Sequence, residues 1–96
     1  MYGLIGRMLA VPGKREELLA VMQQGSVVMP GCLSYVLARD PASEDAIWIT
    51  EVWDSKENHA ASLQIPEVRE TIDRAMPLIA RFAEHFETEP VGGIGI

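Results

Sequence analysis

Three residues near the middle of the chain could act together as a chemical site. Glu51, Trp53 and His59 lie in the segment TEVWDSKENHAASL, residues 50–63, where an apolar strand leads into a helix. A helix that begins directly after such a strand folds back over the sheet, which would let His59 and Trp53 border one cavity. An imidazole, with an ordinary pKa of ~6.5, could take a phenolic proton there near neutral pH. The segment therefore predicts a site for proton transfer on a small molecule.

Glu51 needs a partner, because an unpaired carboxylate in a strand buried on both sides is prohibitively costly. Arg7 and Arg39 are the strand-borne cations that could pair with it. If they project into the cavity instead, they would favour an anionic ligand. A purely structural ion pair between Glu51 and one arginine is the alternative interpretation. His59, in the same way, could be a half-buried histidine at the edge of the core.

Other reactive side chains give weaker signals. Tyr35, in the predicted second strand, could belong to the core or offer its hydroxyl to a ligand. Cys32 follows a Pro-Gly turn, and since no motif activates its thiolate we expect a small buried hydrophobe. His85 has acidic neighbours in the predicted last strand and is expected at the surface. Met22 and Met29 are expected in the core.

Composition excludes several classes of partner. The chain has 96 residues, of which 48% are hydrophobic and 23% charged, as in an ordinary globular domain. A net charge of -6 repels phosphate backbones and anionic membrane surfaces, so we expect neither nucleic acid nor a membrane as a partner. The single cysteine allows no intrachain disulfide. No apolar run approaches the roughly 20 residues of a membrane span. The opening MYGLIGRMLAVPGKR is typical of a strand rather than of a signal peptide. The cytoplasm is therefore the expected location.

The chain also lacks the motifs that bind cofactors. It contains no glycine-rich phosphate loop, no nucleophile elbow and no cluster of cysteines and histidines with metal-binding spacing. We therefore expect no metal and no cofactor, and any chemistry must come from few residues.

Apolar periodicity and turn residues divide the chain into four strands and three helices. The predicted strands cover residues 2–11, 32–40, 46–53 and 84–91, and the predicted helices begin near residues 14, 54 and 66. Asp54 is expected to cap the second helix in a capping box with Glu57. The apolar face of the third helix continues to Phe82, and Pro77 is expected to kink or divide that helix near Met76.

This order of elements predicts an α+β fold. A β-α-β-β-α-(α)-β sequence is typical of a ferredoxin-like domain, in which the helices cover one face of a four-stranded antiparallel sheet. One domain is expected over residues 1–91, followed by a flexible tail, GGIGI, at residues 92–96. The first and third strands are apolar at both odd and even positions, so both faces of the sheet need cover. A homodimer that packs through the sheet faces is the expected solution.

Three segments together resemble a known family. The opening LIGRMLAVPGKREELL, the turn and strand PGCLSYVLARDP, and the segment ITEVWDSKENHAASLQIPEVRE resemble the antibiotic biosynthesis monooxygenase family of the dimeric α+β barrel superfamily. The resemblance covers residues 2–89. It implies a pocket between sheet and helices, lined by Trp53 and His59 with Glu51 beside them. It also implies a small aromatic substrate, since characterised oxygenases of this type act on electron-rich phenols or quinols without flavin, haem or metal.

Within the resemblance, His59 would be the base or hydrogen-bond partner and Trp53 the stacking wall. A deprotonated phenol or quinol can itself reduce dioxygen, so the protein would supply only a base, orientation and a dry pocket. Two alternatives stay open: a non-oxidative enzyme such as an isomerase of a small polar carbonyl compound, and a non-catalytic dimeric binding module. Haem degradation is not expected, because Gly6-Arg7 and the segment TIDR at residues 71–74 stand where haem-degrading relatives have asparagine and histidine.

Overall fold

The fold is an α+β domain in which helices cover one face of a four-stranded antiparallel sheet. A computed structural model describes residues 1–25 and 28–96. The elements are β1 (Tyr2–Ala10), α1 (Arg15–Gln24), β2 (Cys32–Arg39), β3 (Ala46–Trp53), α2 (Lys56–Ser62), α3 (Pro66–Ala75), a 3₁₀ turn (Met76–Leu78) and β4 (Ile79–Thr88). The sheet order is β2-β3-β1-β4, so the predicted ferredoxin-like fold is confirmed. Strands β2 and β3 pair as an antiparallel hairpin.

The two faces of the sheet differ in their surroundings. On the covered face, Met8 of β1 and Ile47 and Ile49 of β3 are buried against Leu18 and Leu19 of α1. Because side chains alternate along a strand, the intervening residues point to the opposite face, which we call the open face. The covered face therefore carries the hydrophobic core.

The cap of helix α2 lies one residue later than the sequence predicts. Its cap is Ser55, whose hydroxyl oxygen accepts a hydrogen bond from the Asn58 backbone amide at 3.1 Å. The predicted capping box of Asp54 and Glu57 is wrong. Asp54 instead accepts from the Asn58 side-chain amide at 2.8 Å, and its own backbone N–H donates to the Gly31 carbonyl at 2.9 Å. This last bond joins the start of α2 to the turn before β2.

The last strand is longer than predicted and the last helix is shorter. Helix α3 ends at Ala75 and a 3₁₀ turn follows, so Pro77 does interrupt the helix near Met76 as expected. However, residues 79–83 belong to β4, which runs along nearly the whole of β1 through two irregularities in register. Phe82 is therefore a strand residue opposite Met8 and not a helix residue. Pairing with the full length of β1 outweighs the weak helical periodicity of this segment.

The chain beyond β4, at residues 89–96, has no regular secondary structure. No strand or helix follows Thr88 in the structure, and Ile94 in the terminal segment is fully exposed. Within residues 1–25 and 28–96, no helix has both the length and the apolar character that a membrane crossing requires.

Candidate functional site

A cavity of about 290 Å³ lies between the covered face of the sheet and the three helices. Glu51 and Trp53 reach it from β3, Tyr35 from β2 and His59 from α2. The rest of its lining is mostly apolar. The three residues that the sequence singles out, Glu51, Trp53 and His59, therefore lie together at one cavity.

Trp53 anchors the floor of this site. Its side chain is 1% exposed, and its indole Nε1–H donates to Glu51 Oε1 at 3.0 Å. The two residues share a face because they are two positions apart in a strand. In the antiparallel register Glu51 lies opposite both Tyr35 of β2 and Leu4 of β1. The indole thus holds the carboxylate of Glu51 at the cavity wall.

His59 reaches the same carboxylate from the helix side. Helix α2 follows β3 after a short turn and folds back over the sheet, which places the imidazole edge-on to the Trp53 indole with ring centroids 5.2 Å apart. His59 Nε2 lies 3.9 Å from Glu51 Oε1, and the two side chains are 22% and 17% exposed. An imidazolium formed at His59 would therefore be stabilised by a carboxylate in a partly dehydrated setting.

Tyr35 adds a hydroxyl to this group. Burial, followed by the negative charge of Glu51, raises the pKa of Tyr35 well above its ordinary value, so the phenol stays protonated at neutral pH. No hydrogen bond from another residue of the described chain reaches that hydroxyl. Tyr35 thus lines the cavity as a potential donor to a ligand.

Arg7 and Arg39 lie away from this cavity. On the open face, Arg7 Nε donates to Asp40 Oδ2 at 3.0 Å and its guanidinium lies 3.6 Å from Glu84. Arg39 forms an exposed ion pair with Glu16 of α1. Neither arginine is the partner of Glu51, whose contacts are the Trp53 indole and the His59 imidazole. The sequence suggested an arginine as the partner of Glu51, whereas the structure places two aromatic rings beside it.

The other reactive side chains lie outside the cavity lining. His85 is exposed on β4. Cys32 is half-buried, and burial, followed by the charge of Glu51, raises the pKa of its thiol. Among residues 1–25 and 28–96, no group of three or more histidines, cysteines or carboxylates has a geometry that could hold a metal ion.

Two sets of neighbours are not predicted from sequence. The Tyr2 ring lies 5.7 Å from the His59 ring, and burial, followed by the nearby carboxylate of Glu87, raises the pKa of Tyr2. The antiparallel register of β1 and β3, which pairs Tyr2 with Trp53, is the signal that could have found it. Met22 and Met29 also line the cavity. They come from separate segments, so no sequence period links them.

The fold and the cavity define a class of small α+β proteins with a ligand-sized pocket between sheet and helices. The sequence matches the family model described as antibiotic biosynthesis monooxygenase over residues 1–74. Since the match covers more than half of the chain, the protein belongs to the antibiotic biosynthesis monooxygenase family. The resemblance noted from the sequence is thereby confirmed.

Solved structures and a relative from a cyanobacterium agree with this assignment. A candidate antibiotic biosynthesis monooxygenase from Chloroflexus aurantiacus J-10-fl is 60% identical, with a TM-score of 0.93 over 96% of this chain and 94% of that chain. Another from Deinococcus radiodurans is 25% identical, with a TM-score of 0.75 over 100% and 98% of the two chains. The uncharacterised protein sll1783 of Synechocystis is 29% identical over 82 residues. The match spans 82% of this chain but only 56% of sll1783. Family and neighbours together support a general monooxygenase-like role.

Proposed function

We propose that the protein is a monooxygenase that needs no cofactor and oxidises a quinol-like or phenolic small molecule with dioxygen. The observation that carries this proposal is the meeting of His59, Glu51 and Trp53 at one mostly apolar cavity. Trp53 can contact a flat ring, His59 can remove the hydroxyl proton of that ring, and Glu51 can stabilise the imidazolium that forms. The reaction needs little else from the protein, because an electron-rich phenolate can itself donate electrons to dioxygen.

His59 is the base in this scheme. Its imidazole takes the hydroxyl proton of the substrate, and Glu51, 3.9 Å from Nε2, stabilises the imidazolium that forms. The phenolate then passes an electron to dioxygen, and the two radicals combine to give a C–O bond. The carbon that is oxidised carries two hydrogens in the keto tautomer of the substrate. Loss of water after the C–O bond forms converts this carbon to a carbonyl, and the overall change is CH₂ + O₂ → C=O + H₂O. All four electrons come from the substrate carbon, so no external reductant enters.

Trp53 and Tyr35 orient the substrate. The indole of Trp53 forms a rigid wall, since it is almost completely buried and its N–H is held by Glu51. A substrate ring that contacts this wall would lie beside the His59 imidazole, whose ring centroid is 5.2 Å from that of the indole. The Tyr35 hydroxyl, kept protonated by its raised pKa, can donate to a carbonyl oxygen that develops as the ring is oxidised.

The lining of the cavity supports an aromatic substrate over a small polar carbonyl compound. Its walls are largely aliphatic, thioether and aromatic side chains, and Arg7 and Arg39, which would have favoured an anionic ligand, are engaged elsewhere. An isomerase of a polar substrate would require more hydrogen-bond partners than these walls offer.

The test is oxygen uptake with a panel of small quinols and phenols. We expect His59→Ala to lower kcat by about 10²–10⁴-fold, the usual contribution of a positioned base. His85→Ala is the matched control, since this imidazole is exposed on β4 and lies outside the cavity lining. Unchanged turnover in His59→Ala would remove His59 from the mechanism. No oxygen uptake by the wild-type protein with any quinol would favour a binding module.

We also propose that two copies pack through their open sheet faces. Val36 of β2 and Phe86 of β4 are half-exposed on that face, where Val36 lies opposite Thr50 and Phe86 opposite Ile5. Exposed apolar side chains across one sheet face are typical of a protein interface. Light scattering after size exclusion should give a dimer mass for the wild type and a monomer mass for the double variant Val36→Glu, Phe86→Glu. A monomeric wild type would contradict the proposal.

A further inference from the structure

Four of the five methionines of the chain line the same cavity. Met8 comes from β1, Met22 from α1, Met29 from the segment before β2 and Met76 from the 3₁₀ turn after α3. Only Met1 lies elsewhere. Four separate segments thus contribute the same side chain to the lining of one cavity, although leucine would fill a similar volume.

Methionine side chains allow the lining of the cavity to change shape. Its side chain is unbranched, has three rotatable bonds and carries a polarizable sulfur, so it repacks around different ligands at low cost. Thioether sulfur also makes favourable contacts with the edges of aromatic rings. A pocket with four such side chains can accommodate rings of different size, whereas branched leucine and isoleucine side chains would hold one shape.

The opening of the cavity is apolar as well. Leu63, Ile72, Met76 and Phe82 line the cavity and remain 42%, 39%, 48% and 62% exposed. They form an apolar rim over which a larger ring system can extend beyond the enclosed volume. The cavity itself, at about 290 Å³, is at the small end of ligand sites. The rim is therefore what would admit ligands with more than two rings.

The charge of the cavity selects against anions. Among the described residues that line it, Glu51 is the one carboxylate, and neither lysine nor arginine is present. While the imidazole of His59, which also lines the cavity, is neutral, a ligand that carries a carboxylate, sulfate or phosphate would meet Glu51 without a compensating cation. In a partly buried site such repulsion is much stronger than in water.

We propose that this cavity is a broad-specificity site for neutral, flat aromatic molecules of one to three rings, and that it rejects their anionic analogues. This inference rests on the proposed function for its reaction, but it concerns binding alone. The methionines provide tolerance of ring size, and the carboxylate of Glu51 provides discrimination by charge.

Ring size is tested by calorimetric titration of the full-length protein, without oxygen, with phenol, 2-naphthol and 2-hydroxyanthracene. We expect the two larger ligands to bind the wild type with dissociation constants that agree within about tenfold. In the variant with all four cavity methionines changed to leucine, the three-ring ligand should lose at least about tenfold relative to 2-naphthol. Because leucine conserves volume, the fold should survive.

Two further variants support the test of ring size. If the fourfold variant does not fold, the double variant Met29→Leu, Met76→Leu leaves the buried Met8 unchanged and should show the same trend. Leu37→Met is the matched control, since Leu37 packs against the core outside the cavity lining, and it should leave the ratio unchanged. An unchanged ratio in the methionine variants, or no binding of any of the three ligands, overturns the proposal.

Charge is tested with the pair 2-naphthol and 6-hydroxy-2-naphthoate, which differ by one carboxylate. We expect the anion to bind the wild type at least about tenfold more weakly, and Glu51→Gln to reduce that difference. Equal binding of the two ligands, or a difference that Glu51→Gln does not change, overturns the charge argument. Since these titrations exclude oxygen, an intact binding pattern with no oxygen uptake would reject the proposed reaction and keep the ligand class. Oxygen uptake with a quinol by a protein that binds only one of the three ring sizes would reject the ligand class and keep the reaction.

Discussion

The two tryptophans of β3 form similar pairs on opposite faces of one strand. On the covered face, Trp53 Nε1 donates to Glu51 Oε1 at 3.0 Å, and on the open face Trp48 Nε1 donates to Asp40 Oδ2 at 3.1 Å. The surroundings of the two carboxylates differ. Asp40 also accepts from the Arg7 guanidinium and from the Ala42 amide. The second contact of Glu51 among residues 1–25 and 28–96 is the His59 imidazole at 3.9 Å.

This difference indicates that Asp40 has a structural role, whereas Glu51 can still accept a hydrogen bond from a ligand. The donors around Asp40 satisfy both of its oxygens and join the β2–β3 loop to the open face. The carboxylate of Glu51 borders a cavity and keeps acceptor capacity. A charged group retained with few partners beside an apolar pocket is typical of functional sites. The comparison predicts that changes at Asp40 affect stability and that changes at Glu51 affect activity.

The largest expected effect concerns the indoles themselves. Trp53→Ala should lower the free energy of unfolding by about 3–5 kcal/mol, because it empties a nearly completely buried site. Trp48→Ala should cost clearly less, since Trp48 is only half-buried on the open face of the single chain. Urea denaturation of both variants measures the difference. Equal losses would show that the two faces are equally buried in the native protein, as in a dimer with a tight sheet interface.

A second test compares the two carboxylates in catalysis. Glu51→Gln keeps an oxygen that can accept from the Trp53 indole but removes the charge that stabilises an imidazolium at His59. We expect turnover with a quinol substrate to fall by about 10–100-fold, which corresponds to about 1.4–2.7 kcal/mol of lost electrostatic stabilisation. Asp40→Asn, made as the matched control, should retain wild-type turnover. Equal losses in both variants would contradict the distinction.

A smaller effect is expected at the helix that presents His59. Ser55→Ala removes the cap of α2 and should lower stability by about 1 kcal/mol. Asp54→Ala removes only an exposed contact with the Asn58 side chain and should change stability by about 0.5 kcal/mol or less. Thermal or urea unfolding distinguishes the two. A larger loss for Asp54→Ala would restore the capping role that the sequence suggests for that residue.

The smallest effect is a dependence of stability on pH at the open-face pair. The Ala42 amide, followed by the Arg7 guanidinium, holds the pKa of Asp40 below its ordinary value. A carboxyl group with a lowered folded pKa stabilises the protein above its unfolded pKa of about 4, and this contribution is lost as pH falls through the folded value. The stability difference between wild type and Asp40→Asn should therefore shrink below about pH 4. A difference that stays constant down to pH 2 in urea titrations would contradict this account.

The sequence by itself determined the order of strands and helices and the grouping of Glu51 and Trp53 on one face. Period-two alternation in β3 and the strand-to-helix turn at residues 53–56 are local properties, so they can be interpreted without the fold. The sequence also indicated that His59 folds back over the same strand end. It misplaced the cap of α2, because Asp54 and Ser55 are both good caps. It also misplaced the start of β4, because pairing with distant β1 decides that boundary.

Only the tertiary structure decided which charges meet. Arg7 and Glu51 both lie on strands of the sheet centre, yet alternation places them on opposite faces, where Arg7 pairs with Asp40. The methionine lining is likewise not predictable from the sequence, because four separate elements and connecting segments supply it. Periodicity within one element reports which side chains share a face. Contacts between elements depend on register and on the packing of helices over the sheet, and these are properties of the whole fold.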